Sequence, residues 1–425
     1  MRLEIRGGRV VDPKSNTDEL ANIYIADGQV VALGQELADF ESDHVLDATG
    51  LIACPGLIEL GAYIGEPGEE HRGTIASESR AAVAGGVTTL CMQPNTQPIV
   101  DTPAVVELIN GRANDVGLAN IECMSAMTAG LEGTRLAEMH ALEEAGCIGV
   151  TNTRNAIANT EVMRRALDYA ATFDLTVFLH CEDPWLAKDR LVHSSALSFE
   201  LGLDAVPEAA ETVAVARELL LVEQTGARAH FSRLSTGRAV QMVAEAAERG
   251  LAVTADVGAA YLFLSESAID GFDSRGHVRP PFRTERDRDL LRAALAKGTV
   301  TAACADHQPC GADAKLNPFP MTKPGISGLE TLLALLLRWG REDEVPLLRT
   351  LETVTSAPAE ILGINRGYLA PGAVADICLF DPNAEFIVDS SKFLSQGKNT
   401  PFDGWQLSGR VMHTVVDGEV VYEYS

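Results

Sequence analysis

A chain of 425 residues that is 46% hydrophobic has enough apolar material for one large barrel with an appended module, or for two to three average domains. Its net charge of −26 excludes a phosphate-backbone binder, which needs arrays of Lys and Arg, and disfavours anionic membrane surfaces. No apolar run reaches the roughly 18–20 residues of a membrane span, and the N-terminus MRLEIRGGRVVDP alternates like a strand and lacks a signal-peptide core, so the expectation is a soluble cytoplasmic protein.

The opening segments LEIRGGRVVD, NIYIADGQVVALG and HVLDATGLIACPG alternate with period two between Gly turns. GYLAPGAVADICLFDP and GRVMHTVVDGEVVYE do the same near the end. Strands at both termini around a different middle predict one small β-module with its first half in residues 1–52 and its second in 359–425. Residues 53–358 alternate helix and strand: TIASESRAAVAGG precedes VTTLCMQ, EVMRRALDYAATFD precedes LTVFLH, ETVAVARELLLVEQTG precedes ARAHFS, GRAVQMVAEAAERG precedes LAVTADV, and DRDLLRAALAKG precedes TVTAACAD. Short strands apolar on both faces and separated by helices need a parallel sheet covered by helices. Units repeated over about 300 residues favour a closed (β/α)₈ TIM barrel over an open sheet. LETLLALLLRWG reads as a buried barrel helix. The eight cysteines form no C-x-x-C pair and mostly sit in strand-like runs, which predicts buried thiols.

In such a barrel the chemistry lies just after the strand C-termini. That places Gly61-Ala62-Tyr63, Asn95, Asn152, His180, Arg233 and Asp306 at the mouth. The long polar stretches 271–283 and 308–325 would form mobile loops over it.

At these positions the sequence resembles the dihydroorotases, cyclic amidohydrolases of pyrimidine synthesis. The resemblance runs through CPGLIELGAYIGEPGEEHRG, MQPNTQP, LHCED, AVPEAAETVAVAREL, RPPFRTERDRDLL, ADHQP and PGISGLET, in the family's order and nearly its spacing. It implies an amidohydrolase-type barrel. In that family one or two zinc ions at the mouth polarise an amide carbonyl and activate a water.

The resemblance also implies where the ligands should be, and most are replaced. The family's H-x-H reads Gly61-Ala62-Tyr63: glycine donates nothing, and a phenol is a poor zinc ligand. The paired aspartates after the fourth strand fall on Asn152 and Thr153. The histidine after the sixth falls on Arg233, a guanidinium that would repel a cation. His180 and Asp306 are retained, whereas structural zinc wants four protein ligands and catalytic zinc three plus water. His230, three residues before Arg233, reads as a packed core histidine. The substrate clamp arginine is Gly65, and the family's N-P-P and P-H-H segments read Arg279-Pro280-Pro281 and Ala259-Ala260-Tyr261. Asn95 and His307 match substrate-binding positions, though a turn beside Pro94 and a strand end account for them as well.

The resemblance is nearest to zinc-less, non-catalytic pseudo-dihydroorotases that associate with aspartate carbamoyltransferase. It implies no zinc, no catalytic residues in a vestigial centre of Gly61, Tyr63, Asn152, Thr153, His180, Arg233 and Asp306, and that transferase as partner, with the chain itself oligomeric. In that centre Arg233 should fill the metal's space and pair with Asp306. The alternative is an active dihydroorotase or other cyclic amidohydrolase with an altered or single-metal site. A third is a ligand sensor using the vacated pocket.

Overall fold

The computed structural model describes residues 2–34, 37 and 40–424. Eighteen strands are described, β1 to β18 in chain order. The first five, β1 (Arg2–Asp12), β2 (Thr17–Ala26), β3 (Gln29–Gly34), β4 (His44–Asp47) and β5 (Ile52–Pro55), lie in the N-terminal part of the module. β16 (Ile377–Ile387), β17 (Gln406–Val416) and β18 (Glu419–Glu423) complete it in the order β18-β17-β16-β5-β1-β2-β3, with β4 beside β1. The two ends of the chain meet where β5 runs antiparallel to β16 and parallel to β1, so the N-terminal share of the module reaches Pro55. Leu3, Ile5, Ile23, Ile25, Ile377 and Leu379 form its own core.

Between these halves stands an eight-stranded parallel barrel: β6 (Leu57–Ala62), β7 (Val87–Met92), β8 (Asn120–Ala126), β9 (Gly149–Thr151), β10 (Val177–Leu179), β13 (Ala229–Phe231), β14 (Val253–Gly258) and β15 (Ala302–Cys304), adjacent in that order. The short pair β11 (Val192–His193) and β12 (Ala205–Val206) belongs to an excursion between β10 and the next helix. The remaining seam, between β15 and β6, is bridged by Glu59, whose carboxylate accepts from Ala305 N at 2.5 Å and Asp306 N at 3.1 Å, and by Tyr63 N donating to His307 O at 2.8 Å.

Side chains alternate along each strand. In β10 and β13, Val177, Leu179, Ala229 and Phe231 face the helices, while Phe178 and His230 point into the barrel with ring centroids 5.2 Å apart. The covering helices begin and end on the signals that their sequences carry. Thr74 and Ser77 form a capping box for Ile75–Ala84, which ends at Gly85. Thr284 and Asp287 do the same for Glu285–Lys297, which stops at Gly298 in the left-handed region. Leu332–Glu342 is buried along its apolar face, and all eight cysteines are buried and unpaired. No described helix is long and apolar enough to cross a membrane.

The stretches expected as mobile loops are anchored. Val278 and Phe282 of the first stretch are buried in the main core, and Phe319 of the second is buried with Ile269 and Val192 in another apolar cluster. That cluster ties together the β10 excursion and the loops that follow β14 and β15, so polar composition was a poor guide to how firmly they pack.

Candidate functional site

The mouth of the barrel brings Gly61, Tyr63, Asn152, Thr153, His180, Arg233 and Asp306 to one end of the fold, but the bonds among them differ from a metal cage. Arg233 follows β13 and is almost fully buried. Its backbone N donates to Asp256 Oδ1 at 2.7 Å, and its guanidinium lies across Gly61. A Cβ built on Gly61 would stand 2.9 Å from Arg233 Nη1. A side chain at position 61 would displace the end of the arginine, and the cation occupies the ground that such a side chain would take.

The expected Arg233–Asp306 pair is present as a contact of 3.7 Å between Nε and Oδ1, without a hydrogen bond. The direct partner of Asp306 is Arg154, whose Nη2 donates to both carboxylate oxygens at 2.7 Å while its Nε bonds Arg279 O at 3.0 Å. Arg279 in turn grips Glu182 through Nε at 3.0 and 3.1 Å and Nη2 at 2.6 Å. The loops after β9, β10, β14 and β15 are thus laced together by two arginine–carboxylate pairs. Thr153, Arg233 and Asp306 all hold positive φ, of 49°, 58° and 47°, a conformation disfavoured for residues with a Cβ.

His180 is enclosed, with neither ring nitrogen hydrogen-bonded and Glu182 Oε2 at 3.5 Å from Nε2. Burial, with the Arg233 and Arg154 cations nearby, holds its pKa down at about 4, so the ring is neutral at pH 7. Burial would raise the Glu182 pKa, but His180 and Arg279 outweigh it and bring it to about 2. Glu59, buried beneath, moves the other way to about 8, through burial and the neighbouring carboxylates of Asp306 and Asp256.

These shifts set an acid sensitivity. A histidine with a folded pKa below its unfolded value withholds stability as pH falls from about 6.5 towards 4. The melting temperature should therefore decline across that window, and His180→Asn, which has no proton to gain, should flatten part of the decline. An unchanged slope in His180→Asn would show that His180 is not among the groups responsible.

The other candidates have structural partners. Tyr63 is fully buried, donates its hydroxyl to Glu69 and lies under Arg72, whose guanidinium carbon is 4.1 Å from the ring centre. Asn152 accepts from Thr128 Oγ1 at 2.7 Å and donates to Asn155 O at 2.7 Å, bracing its own loop. His307 has two partners of its own. Its Nε2 bonds Glu78 at 2.8 Å, its Nδ1 accepts from Gly328 N at 3.2 Å, and the ring is buried. Asn95 is half-buried, and its Oδ1 lacks a partner. His230 bonds Thr254 Oγ1 and Asp256 Oδ2, each at 2.8 Å, deep in the barrel.

Arg154, Arg279, Glu182 and Glu59 are the members that sequence reasoning missed. Arg154 lies two residues beyond Asn152, and Arg279 stands in a segment already noted as altered, so position alone could have flagged both.

A zinc ion does not fit these donors. Both oxygens of Asp306 are engaged by Arg154, a second guanidinium lies against Gly61, and His180 is left as a lone neutral donor. Among the described residues, no group of three or more His, Cys, Asp or Glu is arranged to hold a metal. An adjoining cleft is lined by Arg154, Arg279, Tyr261, Asp306, Gln308 and Ile326.

Known proteins give this arrangement its context. The dihydro-orotase-like family model matches residues 50–239, and an amidohydrolase family model matches residues 327–422. A "Dihydroorotase-like protein" of Pseudomonas aeruginosa is 46% identical over the whole of both chains. A "Dihydroorotase" of Geobacter sp. (strain M21) is 41% identical, again over the whole of both. Among solved structures, the L-hydantoinase (dihydropyrimidinase) of Arthrobacter aurescens superposes with a TM-score of 0.89 over 99% of this chain and 96% of its own, a likeness of fold at 23% identity. With full-length identity at that level, the chain belongs to the dihydroorotase-like family of amidohydrolases.

Proposed function

We propose that this chain is a non-catalytic member of its family in pyrimidine synthesis, a pseudo-dihydroorotase that acts as an oligomeric structural partner of aspartate carbamoyltransferase. The observation that carries this reading is the Arg233 guanidinium lodged against Gly61 beside an Asp306 already neutralised by Arg154. Hydrolysing an unactivated amide requires a polarised carbonyl and an activated water. Here the centre presents three guanidiniums, two of them hydrogen-bonded to carboxylates, and one neutral imidazole, a set that holds loops together. The transferase enters only as what the sequence's resemblance to pseudo-dihydroorotases implies.

The test is elemental analysis of the purified protein together with dihydroorotate turnover on the same sample. Zinc well below one per chain and no turnover are expected. About one zinc per chain with measurable hydrolysis would overturn the proposal. A second reading, a hydrolase with an altered or single-metal site, is favoured by the two unbonded nitrogens of His180 and by relatives named dihydroorotase. Under it, His180→Asn would abolish turnover.

A further inference from the structure

The strap of residues 388–405, which joins β16 to β17, passes through the base of the loop that follows β15. That loop rises and returns on two stems, Gln308 to Cys310 and Pro324 to Ser327, and one main-chain bond joins them directly, from Gln308 N to Ile326 O at 2.7 Å. Asn399 supplies further ties. Its side chain donates to Gln308 O at 3.0 Å and Gly325 O at 2.9 Å, and accepts from Cys310 N and Ser327 Oγ, each at 2.9 Å. An amide has two donor hydrogens and two acceptor lone pairs, so all four are used, and the N–H of Cys310 fixes which end is oxygen. The backbone O of Asn399 also accepts from Ser327 N at 2.8 Å. Gly397 passes where a side chain would collide: a Cβ there would stand 2.6 Å from Pro309 Cβ and 2.7 Å from Ser327 Oγ. Two barrel carboxylates hold the strap in place. Glu330 accepts from Leu394 N and Ser395 N at 2.9 and 3.0 Å, and Glu78 accepts from Ser395 Oγ and Gln396 N at 2.7 and 3.1 Å.

We propose that residues 397–399 act as a pin through the base of this loop, fixing the spacing of its stems and with it the width of the cleft at the mouth. Gln308 of one stem and Pro324, Gly325 and Ile326 of the other line that cleft together with Arg154 and Asp306. Removing the pin strips bonds from four buried polar groups, Gln308 O, Gly325 O, Cys310 N and Ser327 Oγ, which water then satisfies only if the stems part. The strands of the barrel and of the module keep their own ladders meanwhile. The loop therefore opens at its base as a local event that costs less than unfolding the chain. This device is independent of the assembly role: it acts within one chain.

Cys310 is a native probe of the stems. Its thiol is buried between them, 3.7 Å from both Gln308 O and Pro324 O. The test treats the purified full-length chain with iodoacetamide and follows alkylation at each cysteine by mass spectrometry. Asn399→Leu keeps the size of the side chain and removes its four bonds. Gly397→Ala is the milder variant, which keeps Asn399 and drives a Cβ against Pro309 and Ser327. Both should speed alkylation of Cys310 at least tenfold over the wild type. Cys54 in β5, Cys91 in β7 and Cys304 in β15, all fully buried, should keep their wild-type rates. A Cys310 rate that does not change would overturn the pin. Equal acceleration of all four thiols would overturn it too, because that pattern belongs to a chain loosened as a whole. If Asn399→Leu does not fold, Gly397→Ala decides, and failure of both to fold would make the strap an inseparable part of the fold and also overturn the proposal.

Discussion

Replacing Asp306 by asparagine is expected to destabilise the protein by about 3 kcal/mol, a fall in melting temperature of roughly 3 °C. Asparagine tolerates the positive φ of 47° at this position, so the substitution removes charge without adding backbone strain. What it removes is the anion that receives two 2.7 Å bonds from Arg154 and lies 3.7 Å from Arg233. Breaking a buried pair strands its partner, at a typical cost of about 3–5 kcal/mol. The lower end applies because the Asp306 and Arg154 side chains keep 11% and 20% of their exposure. Removing the cation as well, with Arg154→Met, should recover part of the loss, giving a coupling of about 2 kcal/mol in a double-mutant cycle. If Asp306 were held for chemistry instead, its removal would leave stability unchanged or raise it, because functional sites store strain. Melting curves of the three variants decide between these roles.

Several features were legible because they are local. A Thr three residues before Ser or Asp, a closing Gly and an apolar stripe fix the barrel helices, and alternation separates Phe178 and His230 from their outward neighbours. The departures from the family's pattern could be read at Gly61, Tyr63 and Arg233 because each falls at a strand end. The replacement network could not be read, since its partners are distant in the chain: Arg154 and Asp306 are 152 residues apart, and Glu182 and Arg279 are 97 apart. Glu59 was hidden for a different reason. It is a single acid in an otherwise apolar strand, and only closure of the barrel brings the backbone N–H groups of Ala305 and Asp306 to it. His307 adjoins Asp306 in the chain, but consecutive residues at a strand end point in different directions, and only the fold brings Glu78 to its ring. The excursion of residues 183–208 mixes apolar and charged residues without a clear period, so neither its short strand pair nor the exposure of Phe199 could be anticipated.

Placing histidines at positions 61 and 63, where the family resemblance puts them, should not by itself create a metal centre. In the double variant Gly61→His/Tyr63→His, the new Cβ at position 61 would meet Arg233 Nη1 at 2.9 Å, and Tyr63 would have to vacate a closed slot under Arg72. Overpacking of this kind costs about 1–3 kcal/mol, and the guanidinium would still repel a divalent cation. Zinc in the double variant is therefore expected to stay at the wild-type level. Adding Arg233→His removes both the collision and the charge, and with His180 it places four imidazoles at the strand ends, enough for a zinc site even while Arg154 keeps Asp306. The triple variant should hold about one zinc per chain after dialysis, and zinc should raise its melting temperature, as a ligand that binds only the folded state does. Stoichiometric zinc in the double variant, with Arg233 in place, would mean that the guanidinium yields its position readily and that the centre is less committed to its present role than its ion pairs imply.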